Sequence, residues 1–399
     1  MKRRVRVGFI AVGLTMTGFL LVLSSDRLSA ARSAQEALYD EVELLAEAIT
    51  IIQSDYVTEV EPKRLIYGAL KGLIESLDRH SQFLDPTAYS EMQVETKGEF
   101  GGLGLEITIS KDGVLTVVAP IDDTPAAEAG LKPNDRIVKI DNQSTRGISL
   151  HEAVKRLRGR PGTKVGLSIL REEENRLLDV SLMRTVIKIR SVKEARLVAD
   201  RIGYIRITEF QDHTPQDMEK ALETLEGGGL DGLILDLRNN PGGLLDVAVE
   251  VAQEFIPQGK LVLSTKGRLK SQNLEFISKS QHPHMDFPIV VLVNGGSASA
   301  AEIVAGALKD HHRGILMGTK TFGKGSVQTV IPLRDGSAIR LTTSTYYTPS
   351  GRSIHGEGLE PDVSVPEEET KATTKPAPDS LVLRAIDLLK GLKVYATSK

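Results

Sequence analysis

The sequence predicts a multidomain protein of the α+β and α/β classes, with an N-terminal helical segment, a small β-rich module and a larger α/β core. Three observations predict it. Near the N-terminus apolar residues recur at spacings of three and four, as on one face of a helix. Between residues 98 and 183 short apolar runs alternate with glycine-containing turns, the pattern of strands. From Ile202 onward apolar strand-like runs alternate with helical patterns, which implies a sheet built with parallel crossovers. A chain of 399 residues is also too long for one ordinary domain.

The totals exclude several function classes. Apolar residues make up 40 % and charged residues 26 %, the balance of a globular chain rather than a disordered one. A formal net charge of -3 gives no reason to expect nucleic acid as a partner. The absence of cysteine removes disulfides, thiolate metal sites and a cysteine nucleophile. The eight histidines form no H-E-x-x-H or similar spacing, and no metal or cofactor is implied.

Residues 1–30 have the layout of a signal peptide or signal anchor. Lys2, Arg3, Arg4 and Arg6 precede an apolar run from Val7 to Leu23, and Ser29, Ala30 and Ala31 follow as small residues. The run lies near the lower limit for spanning a bilayer, so cleavage and retention both stay open. Either way the basic residues remain cytoplasmic, which predicts an extracytoplasmic location, periplasmic or in the cell envelope. In the helical region 36–96, Leu38, Val42, Leu45, Ile49 and Ile52 form one stripe, and Pro62 opens a second helix carrying Leu65, Ala69, Leu70, Leu73 and Leu77. Amphipathic helices must cover such stripes, either on the body or on a second copy of the chain.

Residues 97–184 form the β-rich module. Leu103–Ile109, Val114–Val118, a turn leading into a strand that ends at Ile140, Lys164–Leu170 and Leu177–Leu182 read as strands, and Leu150, Val154 and Leu157 mark a short helix. Gly101-Gly-Leu-Gly-Leu105 precedes the first strand. By itself this is either a plain glycine turn or a nest of backbone amides able to hold an anion beside a strand edge. Taken with Thr124-Pro-Ala-Ala-Glu-Ala-Gly-Leu-Lys-Pro-Asn-Asp-Arg-Ile-Val-Lys-Ile140 and Arg158-Gly-Arg-Pro-Gly-Thr-Lys164, the module closely resembles a bacterial PDZ domain. That resemblance implies a peptide groove between the first strand and the helix. The amides of Leu103, Gly104 and Leu105 would hold a terminal carboxylate, and Leu105, Ile107, Val154 and Leu157 would line an apolar pocket for the last side chain.

The core, 185–366, places its chemistry at the ends of apolar runs. Leu230–Leu237 leads into Arg238-Asn-Asn-Pro-Gly-Gly243; Ile289–Val293 leads into Asn294-Gly-Gly-Ser-Ala-Ser-Ala-Ala-Glu302; Ile315–Met317 leads into Gly318-Thr-Lys-Thr-Phe-Gly-Lys-Gly-Ser-Val-Gln328. Gly318-x4-Gly323-Lys324 comes close to a phosphate loop, with Leu233–Asp236 as a matching acidic strand, but Gly325 stands where the Mg²⁺-holding hydroxyl is required. No G-x-S-x-G or S-x-x-K occurs. Ser299-Ala-Ala-Glu302 also reads as a capping box, with Ser297 as an alternative cap, and Lys324 alone as a solvated lysine. Cap and nucleophile are compatible roles, because free N–H groups at a helix start can steady an oxyanion.

The three core motifs together closely resemble the carboxyl-terminal processing (tail-specific) serine peptidases, from near Ala37 to about Val365. Lys324 follows Ser299 by 25 residues and Gln328 follows Lys324 by four, and both separations fit. The resemblance implies a crotonase/Clp-like core, Ser299 as nucleophile, Lys324 as general base and Gln328 as the residue that orients it. The oxyanion would be met by the Ala300 N–H and a glycine amide, from either Gly242 or Gly243. Ala301 departs from the family, where serine is common. Arg158 matches an arginine proposed to report PDZ engagement; a helix-end charge is the equal alternative. The function implied is an endopeptidase that selects apolar C-terminal tails of proteins through its PDZ domain, the alternative being a non-catalytic PDZ scaffold that presents tails to another protease. A linker, 367–380, and a C-terminal helix, 381–399, end the chain. The leading helices and this last helix are expected to pair in a homodimer.

Overall fold

The computed structural model describes residues 39–199, 201–366 and 379–397. The predicted signal or anchor and residues 367–378 of the predicted linker lie outside the described residues. Among the described residues, no helix is long and apolar enough to cross a membrane.

The chain divides into two compact units, Met1–Phe83 and Leu84–Lys399. In the first, residues 39–55 and Pro62–Glu75 form helices, as their periodicity predicts. Pro62 sits in the first turn, where its missing N–H has no helical partner to lose. Val42, Leu45 and Leu73 are exposed, whereas Ile74 is buried.

The second unit opens with the helix Pro86–Lys97. The Asp85 carboxylate caps it by accepting the N–H groups of Thr87 and Ala88, both at 2.9 Å. The strand Glu99–Gly102 then pairs with Thr185–Lys188, tying the chain that enters the β-rich module to the chain that leaves it. Gly101 and Gly102, expected in a loop, are therefore ladder residues, and only Leu103 and Gly104 form the turn. Leu105–Ile109, Leu115–Pro120, Arg136–Ile140, Lys164–Arg171 and Arg176–Met183 make one antiparallel sheet. Alternate residues of Lys164–Arg171 point inward, so Val165, Leu167 and Ile169 meet Leu115, Ile137 and the helix residues Ala153 and Leu157 in the module's own core.

The larger core is organised on a six-stranded sheet in the order Val192–Ala199, Ile202–Ile207, Gly232–Asp236, Ile289–Val293, Gly314–Gly318, Val363–Ser364. The first pair is antiparallel and the others are parallel. Gly232–Asp236 and Ile289–Val293 are buried along their whole length, which is why they read as unbroken apolar runs. The helices Thr214–Gly227, Leu245–Gln253 and Ala300–Asp310 cover one face. The other face is covered by the C-terminal helix Ser380–Thr397, which buries Ala385, Ile386 and Leu389 on Ile234, Val290 and Leu292. The last helix thus spends part of its apolar stripe on its own sheet, while Leu383, Val394 and Tyr395 stay exposed. A second, antiparallel sheet contains Leu261–Gly267, Glu275–Ile277, Ser326–Pro332 and Ala338–Tyr347. In an open parallel sheet, ligands meet the loops beyond the carboxyl ends of the strands. Here those loops are 237–244 and 294–299.

Candidate active site

The first two motif loops are stitched to each other by their own asparagines and serine. Asn239 N–H donates to Asn294 Oδ1 at 2.9 Å and Asn294 Nδ2 returns to Asn239 Oδ1 at 3.0 Å. The buried Ser297 hydroxyl donates to the Leu237 carbonyl at 2.8 Å, so this serine is used up in holding the loops together. Asn240, fully buried, donates Nδ2 to the Ile207 carbonyl and accepts the Gly242 N–H on Oδ1, each at 2.9 Å. An amide side chain suits this place because it both donates and accepts without burying a charge.

Ser299 stands at the start of the helix Ala300–Asp310 with φ 55 and ψ -116. A non-glycine residue at such a φ is strained and is held there by its surroundings. Its N–H donates to the Glu302 carboxylate and its carbonyl accepts the Glu302 N–H, both at 2.9 Å, while its hydroxyl makes no cap hydrogen bond. The expected capping box is thus present in its glutamate half, and the hydroxyl is left for other work.

Glu302 does more than cap. Its carboxylate, 0 % exposed, also accepts the Gly323 N–H at 2.8 Å, the Lys324 N–H at 2.9 Å and the Thr321 hydroxyl at 2.5 Å. One buried carboxylate with four donors therefore fastens the serine loop to the lysine loop. Tyr346, from the second sheet, does the same for the carbonyls: its buried hydroxyl lies in hydrogen-bond range of the Ser299 carbonyl, at 3.0 Å, and of the Lys324 carbonyl. Neither role was legible beforehand, although the S-x-x-E spacing had marked Glu302 as a cap.

Ser299, Lys324, Gln328, Gly242 and Gly243 line one cleft of about 310 Å³. Lys324 is half-buried and, among the described residues, makes no ion pair or side-chain hydrogen bond. Burial, and after it the charge of Arg340, hold its amine below the ordinary lysine value, with Glu302 acting weakly in the opposite sense. Gln328 lies in the strand Ser326–Pro332, where its amide nitrogen donates to the Ser326 hydroxyl at 2.8 Å. The segment that mimicked a phosphate loop runs into this strand and not into a helix. Its supposed acidic partner, Asp236, is buried and bound by Tyr204 at 2.7 Å and by Arg238.

The two glycines differ. Gly242 N–H is taken by Asn240. Gly243 bridges Phe210 in a parallel arrangement in which Phe210 N–H reaches the Gly242 carbonyl and Leu244 N–H reaches the Phe210 carbonyl, leaving the Gly243 N–H without a partner among the described residues. Ala300 N–H, on the first residue of its helix, is likewise unpartnered. A Cβ on Gly242 would stand 3.0 Å from Ala300 N and 2.7 Å from Ser299 Cβ, so the glycine loop lies directly against the serine.

In the module, the Leu103 and Gly104 N–H groups have no backbone partner, while their carbonyls accept Ala126 N–H and Ile121 N–H, each at 2.9 Å. Leu105 and Ile107 are partly buried against the module's core. Leu157 is 7 % exposed and packs in that core. Val154 and Arg158 line a different cavity, of about 480 Å³, with Phe100 and the helix residues Ser90 and Val94. The Arg158 guanidinium lies 4.3 Å from the Phe100 ring centroid. The opposite part of that helix, Met92, Glu95 and Thr96, lines the cleft of Ser299. Helix Pro86–Lys97 thus borders both cavities, a role the sequence did not announce.

Comparison with known proteins follows the same three-part division. Residues 201–365 match peptidase family S41, residues 116–171 a PDZ domain, and residues 12–88 the N-terminal domain of the activating protease CtpB. A carboxy-terminal-processing protease of Bartonella bacilliformis is 42 % identical over 90 % of this chain and 82 % of its own length. The chain belongs to this family. The carboxy-terminal processing protease CtpA of Bacillus subtilis is 36 % identical over 91 % of this chain and 78 % of its own. A carboxyl-terminal-processing protease of Synechocystis is 40 % identical over 82 % and 77 %. The protein is therefore an S41 serine protease with a PDZ domain, and protein chains are its substrates. The scaffold alternative is set aside.

Proposed function

We propose that this protease cuts peptide bonds near the C-termini of proteins with Ser299 as nucleophile and Lys324 as general base. One observation carries the reading: Lys324 is half-buried without a carboxylate on its amine, in the same cleft as a serine whose hydroxyl makes no cap bond. A lysine is useful as a base only in its neutral form, and burial without a counter-charge favours that form. In the proposed step the Ser299 proton passes to Lys324 Nζ as Oγ attacks the scissile carbonyl carbon. The tetrahedral oxyanion is met by the Ala300 and Gly243 amides; the occupied amide of Gly242 favours Gly243 between the two. Collapse breaks the C–N bond, and the leaving amine takes the proton from Lys324. Water then enters with Lys324 again as base, the acyl ester is hydrolysed and Ser299 is regenerated. Gln328, with its amide nitrogen fixed on Ser326, would turn its carbonyl oxygen to the lysine amine and orient it without restoring a charge.

In the same reading, Leu103 and Gly104 hold the substrate's terminal carboxylate, Leu105 contributing its amide, and Leu105, Ile107 and Val154 take up an apolar last residue. Arg158 and Phe100 then sit where engagement of the tail can reach the cleft through helix Pro86–Lys97. The sequence layout of residues 1–30 supports an exported or anchored, extracytoplasmic enzyme. The deciding test is cleavage of an unstructured protein with an apolar tail, with fragments identified by mass spectrometry. Ser299→Ala and Lys324→Ala should each lower kcat/KM by at least ~10³-fold while circular dichroism is unchanged. Wild-type activity in either variant would overturn the assignment.

A further inference from the structure

Away from the cleft, three carboxylates converge on one imidazole. His284 lies in the segment between the strands Glu275–Ile277 and Ile289–Val293, with its side chain 11 % exposed. Its Nδ1 is 2.6 Å from Glu226 Oε1; its Nε2 is 3.1 Å from Glu219 Oε2 and 3.8 Å from Glu254 Oε2. Glu219 and Glu226 lie on the helix Thr214–Gly227, and Glu254 closes the helix Leu245–Gln253. The backbone fixes the meeting point, since His284 N–H donates to the Glu254 carbonyl and Arg313 Nη2 donates to the His284 carbonyl, both at 2.7 Å. Phe255 and Phe287 flank the ring at centroid distances of 6.4 and 6.5 Å.

The geometry points to a divalent-metal site formed by His284 Nε2 and the Glu219 and Glu254 carboxylates, with Glu226 orienting the imidazole from behind. The donor atoms lie within 4.8 Å of one another. Zinc bonds to nitrogen and oxygen are about 2.0–2.2 Å, so neighbouring donors of a tetrahedral ion stand roughly 3.3–3.6 Å apart. The distances of 3.1 and 3.8 Å from Nε2 bracket that edge. A carboxylate on the far ring nitrogen is the usual partner of a metal-bound histidine, because it fixes the tautomer and raises the basicity of the ligating nitrogen. The charges agree. One imidazolium cannot balance Glu219, Glu226 and Glu254, with Glu250 also acting on Glu254, and the nearby Arg313 spends its hydrogen bond on a carbonyl. A transition-metal ion of the zinc class suits one imidazole nitrogen and two carboxylates gathered at these distances.

The ligands come from three separated segments, so a bound ion would fasten two helices to the chain entering a central strand and would stabilise the fold. The helix Leu245–Gln253 begins just after Gly243 and ends before Glu254, so this site stands one helix length, ~14 Å, from the glycine loop. It is independent of the reading of Ser299 and Lys324.

The experiment uses the full-length, tag-free protein freed of metal by a chelator and titrated with Zn²⁺ at neutral pH. Calorimetry should show one saturable ion per chain, and Tm should rise by several degrees. Co²⁺ should give the visible absorption of a nitrogen- and oxygen-ligated ion. Glu219→Gln, Glu254→Gln and His284→Ala should each weaken binding at least ~10-fold and abolish the Tm rise, with basal peptide cleavage unchanged. Metal-free Glu254→Gln should be at least as stable as the metal-free wild type, since it relieves a carboxylate contact, so it keeps the test valid if His284→Ala folds poorly. No saturable Zn²⁺ binding by the wild type would overturn the proposal, as would equal binding by both glutamine variants. Either result would leave the cluster as a proton-sharing ion-pair group.

Discussion

Two loops of this protein use the same backbone device. Leu103–Gly104 in the PDZ domain and Gly243 with Ala300 in the peptidase core each carry N–H groups without a backbone partner among the described residues. Such amides stabilise negative charge, whether it is a finished carboxylate or an oxyanion forming in a reaction. What separates them is the company they keep. The PDZ amides sit beside partly buried apolar residues, Leu105 and Ile107. The core amides sit beside a strained serine and a half-buried lysine, with Glu302 and Tyr346 tying the serine loop to the lysine loop. The comparison teaches that an amide nest alone selects a charge. In the proposed mechanism it becomes catalytic because a buried framework sets a nucleophile and a base next to it.

That contrast can be broken from either side. The largest effect should come from Glu302→Gln, which keeps the shape but turns an NH₂ toward donors that need an acceptor. Loss of this buried acceptor should cost about 3 kcal/mol of stability. With the two loops released, kcat should fall ~10²-fold or more. Chemical denaturation and steady-state kinetics measure the two together; a loss of stability with normal kcat would show that the clamp does not position the site.

The glycines come next. Gly243→Ala adds a Cβ 2.1 Å from the Phe210 carbonyl oxygen, at a φ of 139, so the backbone must move. In the proposed mechanism this displaces an oxyanion donor and should lower kcat by ~10²–10³-fold with KM little changed. Gly104→Ala meets the Thr124 side chain at 2.3–2.4 Å, at a φ of 76. It should weaken binding of an apolar tail peptide and raise KM for tailed substrates, while leaving kcat at saturation. If both variants changed the same kinetic constant, the division of labour would fail.

A smaller effect tests the base. In the proposed mechanism neutral Lys324 is the active form, so kcat/KM should rise with pH through the lysine pKa, which stands below its ordinary value because of burial and then Arg340. Removing the cation in Arg340→Gln should move that inflection to higher pH and lower activity on its acid side, read from a pH–rate profile. A shift to lower pH would contradict the assignment. The smallest effect concerns Arg158. Its stacking on Phe100 is worth about 0.5–1 kcal/mol. Arg158→Ala should reduce activation by added tail peptides while leaving the activity without them intact; unchanged activation would leave Arg158 as a helix-end charge.

Several elements were legible because their signal is local. The helix Leu150–Leu157 and the strand Lys164–Arg171 begin where the residue pattern places them, and the central strands show as apolar runs because both their faces are covered. The hairpin strand Val192–Ala199 was missed: its charged residues, Lys193, Glu194 and Arg196, fit an edge strand but hide its apolar alternation.

The sequence by itself determined the order of the parts, the three core motifs and the residue types they bring, since these depend on periodicity and neighbours a few positions apart. It set Ser299 at a helix start and Lys324 in a glycine loop. Only the tertiary structure decided that Ser297 is spent on Leu237, that the Gly242 amide is taken while that of Gly243 has no partner among the described residues, and that none of the described carboxylates pairs with the lysine amine. Those facts depend on hydrogen bonds and desolvation between segments up to 60 residues apart, as in the Ser297 to Leu237 bond, and no local pattern encodes which partner a donor will find.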